Sequence, residues 1–398
     1  MKKIVLCGGG TGGHVFPNIA ISELLKKQDC DLFYIGVSGK IEENLCEENS
    51  LDFYGYDFSG FPRKLRKEIL IWPFNLLKAV SKAKVYLKHF KPEIVFGTGG
   101  YSSAPVFIAA KRLNIPYIVH NLDVRFGLAN KFCANGASSV TLGFPSNSDF
   151  LKTTPCFVTG NPVRETFIEI EKKDKEPIFK EFNLDPKKKT IFVIGGSQGA
   201  NAINETILEI LKELVLDNNI QVIHQTGETS HEAFIKRIPA SVTGDFKHSP
   251  STDAPLGRLY PYIAKPFFDN PEKCCYIADL IISRSGAMTT TEITTLGKPA
   301  IFIPYPFAGN HQEANINHLV EAGGAILLKQ KELTSKLLLN TILEMINNEN
   351  KLNKMSKITK SFAKPNAASD IIKLILNTIE NNKKNSNDVD AENLTSVI

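Results

Sequence analysis

Two stretches of the chain share one pattern. Residues 4–26 read IVLCGGGTGGHVFPNIAISELLK, and residues 191–212 read IFVIGGSQGANAINETILEILK. Each begins as an apolar strand, passes through a glycine-rich turn and continues as an amphipathic helix that ends in Leu and Lys. This order is the expected first βα unit of a Rossmann-like sheet. Because it occurs twice, we predict two Rossmann-like domains in tandem.

The segments between these units support an α/β fold class. Short apolar strands alternate with helical patterns, as in doubly wound parallel sheets. A boundary is predicted within residues 158–167, which gives domains over 1–162 and 163–364. The polar residues 381–398 are expected to form a disordered tail. The predicted strands are Ile4–Cys7, Asp31–Ile35, Ile94–Phe96, Tyr117–Val119, Ser139–Leu142, Thr190–Ile194, Ile220–His224, Leu280–Ser283 and Ala300–Ile303.

The composition argues against several classes of protein. Of the 398 residues, 42% are hydrophobic and 22% are charged, as in soluble globular proteins. No apolar run reaches the roughly 18 residues of a membrane span, and no secretory signal is expected. The seven cysteines lack metal-ligand spacing, so reduced thiols and no metal site are expected. The net charge of +5 is modest, and no nucleic-acid partner is expected.

Residues 61–91 concentrate the positive charge. They hold nine Lys and Arg residues against one acid, and they include the only tryptophan, Trp72. One interpretation is a solvated basic helix face. The other is a surface that binds anionic lipid, with Ile71, Trp72 and Phe74 among its apolar side chains. Composition does not separate the two interpretations.

The glycine turns suit phosphate groups. Gly8, Gly10 and Gly13 match G-x-G-x-x-G, but the second strand ends without the acid that binds a dinucleotide ribose. No P-loop lysine follows either glycine run. A third turn, GTGGYSSAP (97–105), also follows a strand. Backbone N–H groups at such turns bind phosphate oxygens, although glycines also serve simply as tight turns.

The second half of the chain adds two polar loops. SRSGAMTTTEI (283–293) leads into a helix whose first N–H and O–H groups suit a diphosphate. Glu292 suits two ribose hydroxyls, or it simply favours the helix N-terminus. Amides suit sugar hydroxyls, and the loop over 303–319 carries polar side chains of this kind. The polar side chains of that loop are Asn310, His311, Gln312 and Asn315.

His14 ends the first glycine turn, at the start of a predicted helix. The partial positive charge at a helix start disfavours imidazolium. A neutral imidazole beside a phosphate site is a candidate general base. A histidine that only caps the turn is the plainer alternative.

Six motifs, in order and spacing, resemble the MurG family of bacterial GT-B glycosyltransferases, family 28. They are GGTGGHVFP (9–17), GTGGYSSAP (97–105), GNPVR (160–164), GGSQGA (195–200), RSGAMTTTEI (284–293) and HQEANI (311–316). The resemblance covers roughly residues 1–380. It implies two Rossmann-like domains facing a cleft, with a last helix over 365–380 packed back on the first domain.

The resemblance also implies a reaction. The family transfers N-acetylglucosamine from UDP-GlcNAc to the muramyl 4-OH of lipid I (undecaprenyl-pyrophosphoryl-MurNAc-pentapeptide). The transfer inverts the sugar linkage, uses no cofactor or catalytic metal, and forms lipid II for peptidoglycan synthesis and cell-wall biogenesis. The implied location is peripheral, on the anionic cytoplasmic face of the inner membrane. Cell shape, cell division and the cell cycle are the implied processes, with other wall-synthesis and division proteins as partners.

The implied site residues follow the motifs position by position. His14 is the implied catalytic base, and Glu292 and Gln312 hold the ribose and the sugar. The loops 9–13 and 97–100 would face the acceptor diphosphate, which would meet Gly10, Thr98, Gly99, Gly100 and Tyr101. The membrane would meet Ile71, Trp72 and Phe74. UDP-GlcNAc would meet Thr11, Gly12, Gly13, Asp123, Arg164, Ser197, Phe268, Ala287, Met288, Thr289, Thr290, Thr291, Glu292 and Gln312.

One motif departs from the family pattern. The family usually reads H-E-Q-N after the fifth strand, whereas His120 is followed here by Asn121, Leu122 and Asp123. Asp123 is an acid without the donors of an amide. Three alternative functions remain: a GT-B transferase acting on diacylglycerol, a UDP-sugar epimerase of the same fold, and a non-catalytic UDP-GlcNAc-binding scaffold. The change at Asp123 supports the third.

Overall fold

The computed structural model describes residues 1–62, 68–146, 151, 153–196, 199–239, 242, 261–306 and 311–395. The chain divides into two compact units. Unit 1 comprises residues 1–164 and 364–398, and unit 2 comprises residues 165–363. Arg164, which the predicted boundary assigns to the second domain, therefore closes the first segment of unit 1.

Unit 1 is built on one parallel sheet. In its described part the strand order is β3-β2-β1-β4-β5-β6-β7, and each neighbouring pair is parallel. The strands are β1 (Lys2–Cys7), β2 (Cys30–Val37), β3 (Asp52–Tyr56), β4 (Ile94–Gly97), β5 (Tyr117–Asn121), β6 (Ser139–Leu142) and β7 (Cys156–Val158). The helices that follow them are α1 (Gly12–Lys26), α2 (Ile41–Glu48), α3 (Glu68–Phe90), α4 (Ala104–Arg112) and α5 (Leu128–Ala134).

Unit 2 repeats the same architecture. Its described strands form a parallel sheet in the order β10-β9-β8-β11-β12-β13. The strands are β8 (Thr190–Ile194), β9 (Gln221–Gln225), β10 (Tyr262–Lys265), β11 (Leu280–Ser283), β12 (Ala300–Phe302) and β13 (Ile326–Leu327). The helices are α6 (Glu165–Glu169), α7 (Glu176–Glu181), α8 (Asn201–Lys212), α9 (Glu228–Ile235), α10 (Pro271–Ile277), α11 (Ala287–Thr295), α12 (His311–Glu321), α13 (Ser335–Ile346) and α14 (Glu349–Ser361).

Both faces of each sheet are covered, which confirms the predicted α/β class of doubly wound parallel sheets. In unit 1, side chains of α3, α4 and α5 bury one face of the sheet, and side chains of α1 bury the other. The central strands carry mostly apolar side chains because both of their faces are buried. Within the described residues, we find no helix long and apolar enough to cross a membrane.

The last helix, α15 (Ala367–Thr395), returns to unit 1. Its buried side chains, Ile371, Ile375 and Ile379, pack in one cluster with those of α1. The helix passes the predicted end at residue 380, so residues 381–395 are helical where a disordered tail was expected. Neither Gly nor Pro interrupts the sequence after Pro365, and Lys383 forms an ion pair with Glu93.

Candidate active site

Two glycine turns of unit 1 lie against each other. They follow β1 and β4, which are neighbours in the sheet, with Cys7 opposite Gly97. A Cβ atom on Gly100 would lie 2.3 Å from the carbonyl oxygen of Gly9. Gly100 also has a φ of +79°, which favours glycine. The backbones of the two turns are therefore in direct contact, and only glycine fits at Gly100.

His14 lies where these two turns meet. Its Nδ1 is 3.0 Å from the carbonyl oxygen of Thr98, and its ring edge borders Gly100. A carbonyl oxygen only accepts hydrogen bonds, so Nδ1 carries the proton in this contact. In the neutral ring the free lone pair is therefore on Nε2. A half-buried imidazole with a fixed tautomer is suited to accept a proton.

The Thr98 side chain holds the two turns together. It is fully buried, and its hydroxyl donates to the carbonyl oxygen of His14. The same hydroxyl accepts a hydrogen bond from Asn18 Nδ2 at 3.1 Å. Asn18 also donates to Cys7 O at 3.0 Å. Thr98, predicted to meet the acceptor diphosphate, thus has its hydroxyl engaged within unit 1, and Asn18, which the sequence did not single out, is one of its partners.

Gly10, predicted to meet the acceptor diphosphate, has its N–H engaged inside unit 1. Its N–H donates to the buried carboxylate of Glu42, with 3.3 Å between nitrogen and Oε2, so this N–H is not open to a phosphate. On its other side, a Cβ on Gly10 would lie 2.6 Å from the Tyr101 ring. Gly10 is therefore enclosed by two side chains.

The loop after β5 is fixed by buried amides. Asn130 Nδ2 donates to the carbonyl oxygen of His120 and to Asn121 Oδ1, both at 3.1 Å. Asn121 Nδ2 donates to the carbonyl oxygen of Asp123 at 2.6 Å. A Cβ on Gly99 would lie 2.3 Å from Asn130 Oδ1, so the same amide borders the second glycine turn. Asp123 is half-buried on this loop.

In unit 2, the start of α11 has the character of an anion site. The hydroxyl of Ser285, just before the helix, is buried and has no hydrogen-bond partner among the described residues. Thr289 and Glu292 are half-buried and lie one turn apart, so they share the accessible face of the helix. The other predicted residues of this helix, Ala287, Met288, Thr290 and Thr291, are buried.

Arg284 joins this helix start to the next loop. Its Nη1 donates to the carbonyl oxygens of Ile303 (2.8 Å) and Pro304 (3.1 Å), and burial lowers the pKa of its guanidinium to about 10. Gln312 Oε1 accepts from the N–H of Tyr305 at 2.8 Å. That contact leaves the Gln312 NH₂ group as the hydrogen-bond donor for a ligand.

Four further residues belong to the sequence-based prediction: Phe268, Arg164, Ser197 and Asn310. Phe268 is only 3% exposed and packs edge-on against Phe182 and Phe192, so its side chain belongs to the core. The Arg164 guanidinium lies over the Phe16 ring at 5.1 Å, within unit 1. Ser197, and Asn310 of the polar loop, lie outside the described residues.

His120 predicts a pH-dependent stability for unit 1. Burial lowers its pKa to about 4, against about 6.5 in the unfolded chain. Below pH 6.5 the unfolded state binds a proton that the folded state does not. The free energy of unfolding therefore decreases as the pH is lowered. When the pH is lowered from 7.5 to 5, we expect His120 to reduce the free energy of unfolding by about 2 kcal/mol.

Urea unfolding followed by fluorescence of Trp72, the only tryptophan, measures this loss in unit 1. The non-titrating variant H120Q should lose about 2 kcal/mol less between the two pH values than the wild type. The exposed His89 provides the control, since H89Q should keep the wild-type slope. An equal loss of unfolding free energy in H120Q and the wild type would show that His120 does not cause the pH dependence.

Sequence comparisons connect both units to one enzyme family. Residues 4–142 match the Glycosyltransferase family 28 N-terminal domain, and residues 190–374 match the Glycosyltransferase family 28 C-terminal domain. The chain belongs to glycosyltransferase family 28. This confirms the family predicted from the six motifs.

Individual relatives of this family 28 chain match it over nearly their whole length. A Bacillus pumilus protein named UDP-N-acetylglucosamine--N-acetylmuramyl-(pentapeptide) pyrophosphoryl-undecaprenol N-acetylglucosamine transferase is 37% identical, over 92% of this chain and 96% of its own. The Bacillus subtilis protein of the same name is 33% identical with the same coverage.

Solved structures show the same likeness. The crystal structure of MurG from Acinetobacter baumannii has a TM-score of 0.70 and 29% identity, and the match covers 95% of this chain and all of that one. A UDP-GlcNAc 2-epimerase from Neisseria meningitidis has a TM-score of 0.66 over 95% of this chain and all of its own, but 16% identity. It therefore shares the fold alone.

The described residues contain no group of three or more His, Cys, Asp or Glu side chains that could hold a metal ion. The cysteines are free thiols, and all except the half-buried Cys156 are buried. Burial raises the pKa of several of them, for example that of Cys46 to about 12. These thiols are therefore protonated side chains of the core.

Proposed function

We propose that this family 28 glycosyltransferase transfers N-acetylglucosamine from UDP-GlcNAc to the muramyl 4-OH of lipid I and forms lipid II. The observation that carries the proposal is the 37% identity, over nearly the whole of both chains, to a relative named for this transfer. The peptidoglycan precursor is the acceptor, and the sugar linkage is inverted to β-1,4.

Unit 2 supplies the donor site in this proposal. The start of α11 offers backbone N–H groups and the buried Ser285 hydroxyl to the UDP diphosphate. Glu292, on the accessible face of that helix, accepts hydrogen bonds from the ribose hydroxyls. The Gln312 NH₂ group donates to a sugar hydroxyl, because its oxygen is held by Tyr305. The α11 amides also stabilise the charge that develops on departing UDP.

Unit 1 supplies the base. The 4-OH oxygen of the acceptor forms a bond to C1 of N-acetylglucosamine, and its proton passes to Nε2 of His14. The bond between C1 and the β-phosphate oxygen breaks, and its electron pair leaves with UDP. The support for His14 is the contact between Nδ1 and the Thr98 carbonyl, which leaves Nε2 free to accept the proton.

Release of UDP tests this proposal and its alternatives. We expect release only when lipid I is added to enzyme and UDP-GlcNAc. Faster release of UDP with diacylglycerol than with lipid I would show that diacylglycerol is the acceptor. Conversion of UDP-GlcNAc without any acceptor would indicate an epimerase. Binding of UDP-GlcNAc without turnover on either lipid would indicate a scaffold.

The first half of α3 supports attachment to a membrane surface. Leu70, Ile71, Phe74 and Leu77 are between 53% and 76% exposed. Their spacing places them along one stripe of the helix. Exposed lysines follow on the same helix, among them Lys78. We propose that this stripe inserts into anionic lipid at the cytoplasmic face of the inner membrane, while the lysines contact the headgroups.

Trp72 has a different place in this arrangement. Its Nε1 donates to the carbonyl oxygen of Ser59 at 3.0 Å, and its ring packs near Phe58 and Phe61. Trp72 is half-buried, so it packs against unit 1 instead of forming part of the exposed stripe.

The double variant L70S/F74S should bind anionic vesicles at least about tenfold more weakly, since each inserted apolar side chain contributes more than about 1 kcal/mol. Sedimentation with phosphatidylglycerol vesicles measures the change. L216S, at an exposed leucine of unit 2, is the matched control and should bind as the wild type does. Equal binding by L70S/F74S and L216S would contradict the membrane proposal.

A further inference from the structure

A buried carboxylate lies beneath the first glycine turn of unit 1. Glu42, in the first turn of α2, is fully buried. Its Oε2 accepts from the N–H of Gly10, and its Oε1 accepts from the N–H of Val37 at the end of β2, both at 3.3 Å. One side chain thus connects the glycine turn to the neighbouring strand.

The Glu42 side chain occupies the space where side chains on the surrounding glycines would lie. A Cβ on Gly9 would lie 2.3 Å from Glu42 Oε1 and 2.4 Å from its Cδ. A Cβ on Gly36 would lie 3.0 Å from Glu42 Cγ. A side chain at Gly9 would therefore displace the carboxylate. Part of the glycine run makes room for Glu42 and not for a ligand.

The carboxylate is held by backbone N–H groups. Within the described ranges, no Lys, Arg or His side chain forms an ion pair with Glu42. A buried carboxylate is costly unless hydrogen bonds compensate for it, and these two contacts supply that compensation. The two contacts tie the turn at Gly10 to the end of β2, on the side opposite Tyr101.

This contact decides which N–H groups remain for a phosphate. The N–H of Gly10 is used by Glu42, whereas Gly12 and Gly13 begin α1, where the first N–H groups of a helix lack partners inside the helix. The family resemblance implies contacts of these two glycines with UDP-GlcNAc, and we assign them to the acceptor diphosphate instead. His14 follows directly on the same helix. A turn that is fixed at Gly10 presents the start of α1 in one conformation, next to His14.

We propose that Glu42 is a positioning residue for the acceptor diphosphate: it fixes the first glycine turn so that the start of α1 binds the diphosphate beside His14. The inference rests on the proposed lipid-diphosphate acceptor. Glu42 itself contacts neither substrate, and it acts through the turn at Gly10.

The test compares E42Q with the wild type in steady-state transfer from UDP-GlcNAc to lipid I. Glutamine keeps the size of the side chain but turns an NH₂ group toward one of the two N–H donors. We expect the KM for lipid I to rise about tenfold, the equivalent of one lost hydrogen bond of about 1.4 kcal/mol. The KM for UDP-GlcNAc should stay at the wild-type value, while the lost hydrogen bond lowers the Tm by a few degrees. E43Q is the matched control, because the neighbouring Glu43 accepts from Gly39 N–H and not from the glycine turn.

An unchanged KM for lipid I in E42Q, or an equal rise in the KM values for lipid I and UDP-GlcNAc, would overturn the inference. If E42Q gives no folded protein, G9A tests the same contact, since its methyl group pushes the carboxylate away from the turn. G9A should also raise the KM for lipid I selectively, and an unchanged value would again overturn the inference. Wild-type enzyme that releases no UDP with lipid I would instead disprove the proposed function.

Discussion

Replacing His14 with alanine should lower kcat by about 10²–10⁴-fold, the usual contribution of a general base. The reason is the fixed tautomer, since the Thr98 carbonyl oxygen holds the Nδ1 proton and leaves the lone pair on Nε2. The loss should appear with saturating UDP-GlcNAc and lipid I, because the proton transfer belongs to the chemical step. Steady-state kinetics with both substrates measures it.

Binding of UDP-GlcNAc is the control for this variant. Isothermal titration should give H14A the wild-type affinity for UDP-GlcNAc, because neither the donor contacts proposed in unit 2 nor the predicted contacts in unit 1, such as Thr11 and Gly13, include the His14 side chain. H89A, at an exposed histidine, should keep the wild-type kcat. Near-full turnover by H14A would show that His14 is not the base.

Replacing Gly100 with alanine should reduce kcat/KM for lipid I by at least about 100-fold, since displacements of about 1 Å at a site have effects of this size. Its Cβ would overlap the carbonyl oxygen of Gly9, which is backbone and cannot rotate away. The positive φ of +79° adds a strain of about 1–3 kcal/mol. The two turns must separate, and the position of His14 changes with them.

The control variant G39A separates the effect of atomic overlap at Gly100 from the effect of backbone strain at a positive φ. Gly39 has a similar φ of +68°, but a Cβ there would meet no atom within 4 Å. G39A should therefore lose some stability and keep wild-type kcat/KM, whereas G100A should lose activity. Similar activities for the two variants would show that contact between the turns is not needed for the reaction.

The central strands could be predicted from the sequence, and the edge strands could not. Ser139–Leu142, Thr190–Ile194 and Leu280–Ser283 are predicted to the residue. The strands without a prediction are β3, β7, β10 and β13, which form the edges of the two described sheets. A central strand is buried on both faces and reads as a continuous apolar run. An edge strand does not: in β7, for example, Phe157 and Val158 are 42% and 47% exposed.

The glycine turns of the site could also be predicted, because their pattern is local. Glu42, Asn18 and Arg284 could not be predicted, because their contacts join segments that are distant in the sequence. Glu42 is 32 positions from Gly10 in the sequence, and an acid in the first turn of a helix is common without any ligand. Their roles follow from strand order, which brings distant segments to the same edge of a sheet.

The structure of the transferred product tests the central claim most directly. Enzyme, UDP-GlcNAc and lipid I are incubated, and the lipid product is analysed by mass spectrometry and by NMR of the anomeric proton. We predict a single added N-acetylglucosamine, β-linked to the 4-OH of the muramyl residue. An α-linked product, transfer to another hydroxyl, or epimerised UDP-sugar without lipid product would contradict it.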